Sequence, residues 1–196
     1  NILAEKSPTI EPTQAALLAA KKALLNKEVK HIDITGMNFI PLIEAMRDTA
    51  FQGRNLARAA DIYHEMLDDK NCGIILCLAG SLISAGLKKV VIDLINNNMI
   101  DAIVSTGANI VDQDFFEALG FKHYQGSAQL DDGQLQKMAV DRIYDTLIDE
   151  DALRICDHTI CDIANSLEPT VYSSREFIHA MGKFLAEKHP KAQSIV

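Results

Sequence analysis

Between Cys72 and Asp114 the chain reads CGIILCLAGSLISAGLKKVVIDLINNNMIDAIVSTGANIVDQD. Two apolar runs, Gly73–Leu78 and Asp101–Ser105, each end in a turn of small residues. The first turn is Leu78-Ala79-Gly80-Ser81 and the second is Ser105-Thr106-Gly107-Ala108-Asn109. Gly86 to Asn97, between them, carries Leu87, Val90, Val91, Leu94 and Ile95 at helical spacing. The pattern predicts strand, turn, helix, strand, turn. The unbroken apolarity of Gly73–Leu78 predicts a parallel strand covered on both faces.

The same reading extends along the chain. Residues 1–13, with Pro8 and Pro12, read as an extended arm. Gln14–Lys27 reads as a tail helix able to pack on a neighbour, and Val29–Ile34 alternates like a short edge strand. Helices are predicted over Asn38–Thr49, Asn55–Asp68, Asp114–Leu119, Gln134–Thr146, Glu150–Ser166 and Ser174–Lys188. Gly120 stops the third of these, and Ser173 or Ser174 caps the last. Helices alternating with short apolar strands are the α/β signature. The chain divides into an arm and helix over 1–28 and one domain over 29–196. With two strands evident and an apolar end at Ser194-Ile195-Val196, that domain reads as half of a larger unit.

Composition narrows the function classes. The 196 residues are 48% hydrophobic and 23% charged, a globular profile. A net charge of −8 repels phosphate backbones and argues against nucleic-acid binding. No apolar run has the length to span a bilayer, so no membrane partner is expected. No basic-then-apolar leader is visible, and a start at Asn1 points to a trimmed or partial chain. The expected location is cytoplasmic, with Cys72, Cys77, Cys156 and Cys161 as reduced thiols. Cys156-Asp157-His158 with Cys161 looks like a metal cluster, but five positions apart on a helix two thiols diverge, so no metal is expected.

The two turns carry the candidate chemistry. Gly80 and Gly107 allow backbone to approach a ligand closely. The hydroxyls of Ser81, Ser84 and Thr106 suit a ribose or phosphate at a helix mouth. Asp112 and Asp114 follow, where a carboxylate can accept from ribose hydroxyls or complement the helix dipole. Together these point to a dinucleotide, although G-x-G-x-x-G is absent. No catalytic set is legible. His123 reads as a turn residue, and Asp141-Arg142 as a helical ion pair. Lys21, Lys22, Lys88 and Lys89 read as solvated doublets.

Four pieces in order resemble deoxyhypusine synthase. They are Ala50–Ala59 (AFQGRNLARA), Leu78–Gly86 (LAGSLISAG), Asp101–Ile110 (DAIVSTGANI), and His123-Tyr124-Gln125-Gly126 followed by Asp141-Arg142-Ile143. Ser173-Ser174-Arg175-Glu176-Phe177 through Gly182-Lys183 also fits. The resemblance implies an α/β, Rossmann-like parallel sheet flanked by helices, incomplete in this chain, with an N-terminal helical arm. It implies an NAD-dependent aminobutyltransferase that moves the aminobutyl group of spermidine to a lysine of translation initiation factor 5A. A dimer-of-dimers with active sites at subunit interfaces is implied as well. The NAD contacts carry over onto Gly80, Ser81, Ser84, Thr106 and Gly107, with Asp112 or Asp114 on the ribose. Ser81 stands where many members have Asn, and one extra residue lies between Asn109 and Phe116. The family's spermidine-binding acids, its glycine-rich loop and its nucleophilic lysine beside a tryptophan fall in a C-terminal half beyond Val196. This chain has no tryptophan, so no catalytic residue is assigned to it, and its expected partner is that half as a separate chain. The alternatives are a related enzyme acting on another amine (homospermidine-type or ureohydrolase-type), an inactive activating paralogue, and a nucleotide-binding regulator unrelated to polyamines.

Overall fold

A computed structural model describes residues 13–31, 33–36 and 38–196. The arm expected over 1–13 lies, but for Thr13, outside the described residues. The elements follow in the order α1 (Gln14–Leu24), α2 (Ile40–Met46), α3 (Phe51–Asp68), β1 (Ile75–Leu78), α4 (Lys88–Asn96) and β2 (Ala102–Ser105). Then come α5 (Phe116–Ala118), β3 (Tyr124–Gln125), α6 (Asp132–Lys137), β4 (Val140–Ile143), β5 (Thr146–Asp149), α7 (Glu150–Ser166) and α8 (Ser174–Lys188). α4 and α5 are each preceded by a wider, π-wound segment, Ile83–Leu87 and Ala108–Phe115. The protein is mixed α/β.

The strand–turn–helix–strand–turn reading holds. β1 and β2 pair in parallel, with Ile75 opposite Ala102 and Leu78 opposite Ser105. One face of this pair, Leu76, Leu78 and Ile103, packs on Ile83 and Val91. The other face is bare: Ile75 is 61% and Val104 60% exposed. The expectation that β1 is covered on both faces is therefore not met within this chain, because no described element crosses that side.

Residues 134–146 were expected to be one helix, and they are not. α6 ends at Lys137, and β4 and β5 form a hairpin, joined by β3 into an antiparallel sheet ordered β3-β5-β4. Ala139 and Tyr144 both hold left-handed backbone (φ 50° and 56°), which a helix interior cannot accommodate. Val140, Leu147 and Leu135 are buried together against Leu24 and Leu25 at the end of α1. Asp141 and Arg142 accordingly lie on a strand, and Arg142 pairs with Asp132 at 2.8 Å. Of the edge strand expected over Val29–Ile34, Ile32 lies outside the described residues and the described ones form no strand; the bridge is between Glu28, just before them, and Tyr124, with the Val29 N–H donating to the His123 carbonyl. α1 packs on its own chain: half-buried Lys21, expected to be solvated, reaches Asp149 at 2.7 Å and Asp151 at 3.0 Å.

The largest core joins Phe115 and Phe116 to Ile148, Cys156, Ile163, Met181 and Leu185 of the hairpin, α7 and α8. α8 starts as expected: Ser173 caps it in a reciprocal box with Glu176. Against this core lies a polar cluster. Glu117 receives His123 Nδ1 at 2.8 Å and His31 Nε2 at 2.6 Å, and the Lys88 ammonium lies 3.6 Å away. Although burial opposes ionisation, these donors hold the Glu117 carboxyl at about 2, well below its usual 4.5.

A carboxylate depressed in this way stabilises the fold at every pH above about 4.5 and loses that contribution as pH falls towards about 2. The expected outcome is that the urea midpoint of the native protein falls steeply from pH 4.5 to pH 2, while that of Glu117→Gln falls less over the same interval. Parallel curves would remove Glu117 from the acid response.

Candidate functional site

The parallel register sets the ends of β1 and β2 side by side. Leu78 lies opposite Ser105, and the Thr106 N–H donates to the Leu78 carbonyl at 3.2 Å. Both strands therefore deliver their turns to the same edge, the position at which α/β sheets hold ligands. Gly80 turns the chain with φ 65°, a left-handed conformation that suits glycine. A Cβ placed at Gly80 or at Gly107 would meet nothing within 4 Å, so backbone at both turns faces open space that a ligand can enter.

One side chain laces the two turns. Asn109 donates from Nδ2 to the Gly80 carbonyl and to Thr106 Oγ1, both at 3.2 Å, and its Oδ1 accepts from the Leu82 N–H at 3.1 Å. Four residues on, Gln113 Oε1 accepts from the Ser84 N–H at 2.9 Å. Both residues are fully enclosed. The sequence pattern showed Asn109 only as the end of a turn and passed over Gln113. Their four-residue spacing, on the face of a helix turned toward the neighbouring unit, was the available signal.

The seven candidate residues separate into two layers. Gly80, Thr106 and Gly107 are exposed at the strand ends, and Ser81 is half-buried among them. Ser84 lies beneath, its hydroxyl donating to the Ser81 carbonyl at 3.0 Å. Asp114 also lies beneath and is fully enclosed. Its Oδ1 stands 3.0 Å from the Lys88 ammonium, and its Oδ2 accepts from Ser194 Oγ and from the Ile195 and Val196 N–H groups at 2.5, 2.9 and 3.3 Å. Asp112 is half-buried, and burial, reinforced by Asp157 of α7, pushes its carboxyl pKa up.

Lys88 was expected to be solvated, but it is 4% exposed. It shares the inward stripe of Ser84 and Val91, three or four positions away, which a reading of the Lys88-Lys89 doublet alone conceals. Its ammonium also donates to the Asp114 carbonyl at 3.0 Å. Lys89 is partly open and pairs with Asp93 at 3.0 Å. His123, read as a turn residue that packs, is enclosed against Phe116. Cys156 is enclosed, and burial with the Asp157 and Asp112 charges pushes its thiol up to about 12. Cys161 is exposed, and among the described residues no cluster of metal-ligating side chains occurs. No helix among the described residues is long and apolar enough to cross a membrane.

Comparison with known proteins places the chain in a family. The profile described as deoxyhypusine synthase matches residues 41–196. The chain belongs to the deoxyhypusine synthase family. It is 62% identical over 176 residues to a deoxyhypusine synthase-like protein of Chlorobaculum parvum, covering 90% of this chain and 50% of that one. A deoxyhypusine synthase-like protein of Coxiella burnetii is 57% identical over 177 residues, covering 90% and 50% of the two chains. A probable deoxyhypusine synthase 2 of Methanosarcina acetivorans is 38% identical over 171 residues, covering 87% and 49%. The chain thus spans about half the length of the curated relatives it matches.

Two glycines of the site separate by stability alone. Gly86 holds φ 93°, and a Cβ there would come within 2.8 Å of the Lys30 carbonyl oxygen. Gly107 holds an ordinary helical φ of −55° in open space. Gly86→Ala is expected to lower the unfolding free energy by about 2 kcal/mol or more, and Gly107→Ala to leave it nearly unchanged. Chemical denaturation of both variants checks this, and equal midpoints would contradict it.

Proposed function

We propose that this chain supplies part of an NAD site to an enzyme that transfers the aminobutyl group of spermidine to a lysine of translation initiation factor 5A. The observation that carries this reading is the pair of adjacent strand ends, Leu78 and Ser105, with their turns laced by Asn109 and their outer backbone open. In this reading Gly80, Ser81, Thr106 and Gly107 contact the cofactor directly, and Ser84 supports the first turn from below. Asp112 is the better ribose acceptor of the two acids, because Asp114 is fully enclosed and ion-paired with Lys88. Bound NAD would accept a hydride from the amine substrate.

The chain supplies no nucleophile in this proposal. The Lys88 ammonium is enclosed among Asp114 and Glu117 oxygens and has no open side toward the turns. The nucleophilic lysine and the acids for a polyamine belong to the other half of the relatives' length. We propose that this half, as a separate chain, covers the bare face of β1 and β2 and extends them into a Rossmann-like sheet. Further copies would complete a dimer of dimers in the cytoplasm.

A second reading keeps the site and changes the acceptor. The bacterial relatives at 62% and 57% identity are named deoxyhypusine synthase-like, whereas the archaeal one at 38% is named probable deoxyhypusine synthase 2. The names of the nearer two specify no acceptor, so a small amine in place of the protein lysine is the second reading. Incubation with NAD, spermidine and either unmodified factor 5A or a diamine separates the two by the product formed. The complete protein with both halves present is needed for this assay.

Gly107→Val tests the cofactor site itself. It is expected to weaken NAD binding at least tenfold, about 1.4 kcal/mol, while the melting temperature is kept, because the added side chain enters open space. Unchanged NAD affinity by calorimetric titration would remove the second turn from the site.

A further inference from the structure

The helix that leaves the first turn is not capped by its own sequence. α4 begins at Lys88, and the residue before it, Leu87, has no side chain able to accept a hydrogen bond. Helix N-termini leave backbone N–H groups without intrahelical partners. Here the Lys88 N–H donates to His31 Nδ1 at 3.2 Å, across 57 positions of sequence. The cap arrives from a segment outside the strand–turn–helix unit.

That segment is held on both sides. The Val29 N–H donates to the His123 carbonyl at 2.9 Å, and the Gln125 N–H donates to the Lys27 carbonyl at 2.7 Å. On the other side the Lys30 carbonyl sits so close to Gly86 that no Cβ fits between them. His31 Nε2 then reaches Glu117 Oε2 at 2.6 Å. One imidazole therefore joins the start of α4, which follows the first turn, to α5, which follows the second.

We propose that His31 is a positioning residue for the cofactor turns, acting as a neutral cap on Lys88 that orders residues 79–88. This rests on the NAD reading of those turns. The contacts define the ring's protonation. Nδ1 accepts from a backbone N–H and so carries a lone pair, which places the proton on Nε2, facing the carboxylate. A second proton would set two N–H groups against each other at Nδ1. The charged groups around the ring are Glu117 on α5, which His123 also approaches, and the Lys88 ammonium on α4 with Asp114 behind it. Asp33, two positions along from His31, lies 3.5 Å from Lys89.

Two substitutions separate the cap from mere bulk. His31→Asn places a carbonyl oxygen where Nδ1 stood and keeps the acceptor. His31→Gln keeps a donor toward Glu117 and has no acceptor at the position of Nδ1. In the complete protein, NAD affinity is expected to stay within about threefold in His31→Asn and to fall at least fivefold in His31→Gln. Amide hydrogen exchange over residues 79–88, measured without NAD, is expected to speed up in His31→Gln and not in His31→Asn. Equal exchange in the two variants would overturn the proposal, as would equal NAD affinity in both. A native protein that binds no NAD would sink the cofactor reading alone, and exchange would still decide the cap.

Discussion

One ammonium group is taken out of water, and the arrangement of the site follows from how it is satisfied. Burying a charge costs several kcal/mol unless partners replace the solvent. Lys88 leaves the first turn, but every group that compensates its ammonium comes from beyond the second: the Asp114 carboxylate and carbonyl, and Glu117. Removing one member of such a buried pair costs on the order of 3–5 kcal/mol, because the other is stranded. The two strand–turn–helix units are therefore tied at one fixed separation beneath the surface where their turns emerge.

The same economy of partners assigns work within the site. Asp114 gives one oxygen to Lys88 and the other to the segment at Ser194–Val196, so it joins three parts of the chain. Asn109 and Gln113 satisfy amides of the first turn with side chains from the second. What remains open above this layer is small: two glycines, a threonine and a half-buried serine. A surface of that kind gains little from side-chain chemistry and much from backbone approach, which suits a phosphate- and ribose-bearing ligand. The bare apolar face of β1 and β2 is of the opposite kind. A parallel sheet is ordinarily covered on both sides, and relatives twice as long have the chain to do it.

Much of this was legible without coordinates. Gly73–Leu78 and Asp101–Ser105 are apolar runs too short for helices, each bounded by small residues, and both became strands in parallel register. Ser173 and Glu176 stood in capping-box spacing and formed the box. The hairpin of β4 and β5 was hidden because its turn, Tyr144-Asp145, lacks the glycine or asparagine that usually marks one, and because 134–146 also carries apolar residues at helical spacing. His31 was hidden differently. Nothing local to residue 31 reveals that a backbone amide 57 positions later needs an acceptor.

The sequence by itself determined the strand–turn–helix–strand–turn unit of β1, α4 and β2, its two small-residue turns and the family, because periodicity, glycine placement and short ordered motifs are properties of neighbouring residues. Tertiary structure alone decided which polar groups are spent inside the fold and which remain for a ligand. Lys88 and Lys89 are adjacent and chemically identical, yet one is enclosed at 4% exposure and the other is partly open. The difference is the direction each takes from the helix axis. Only packing of that helix against the next makes one direction dry and the other wet.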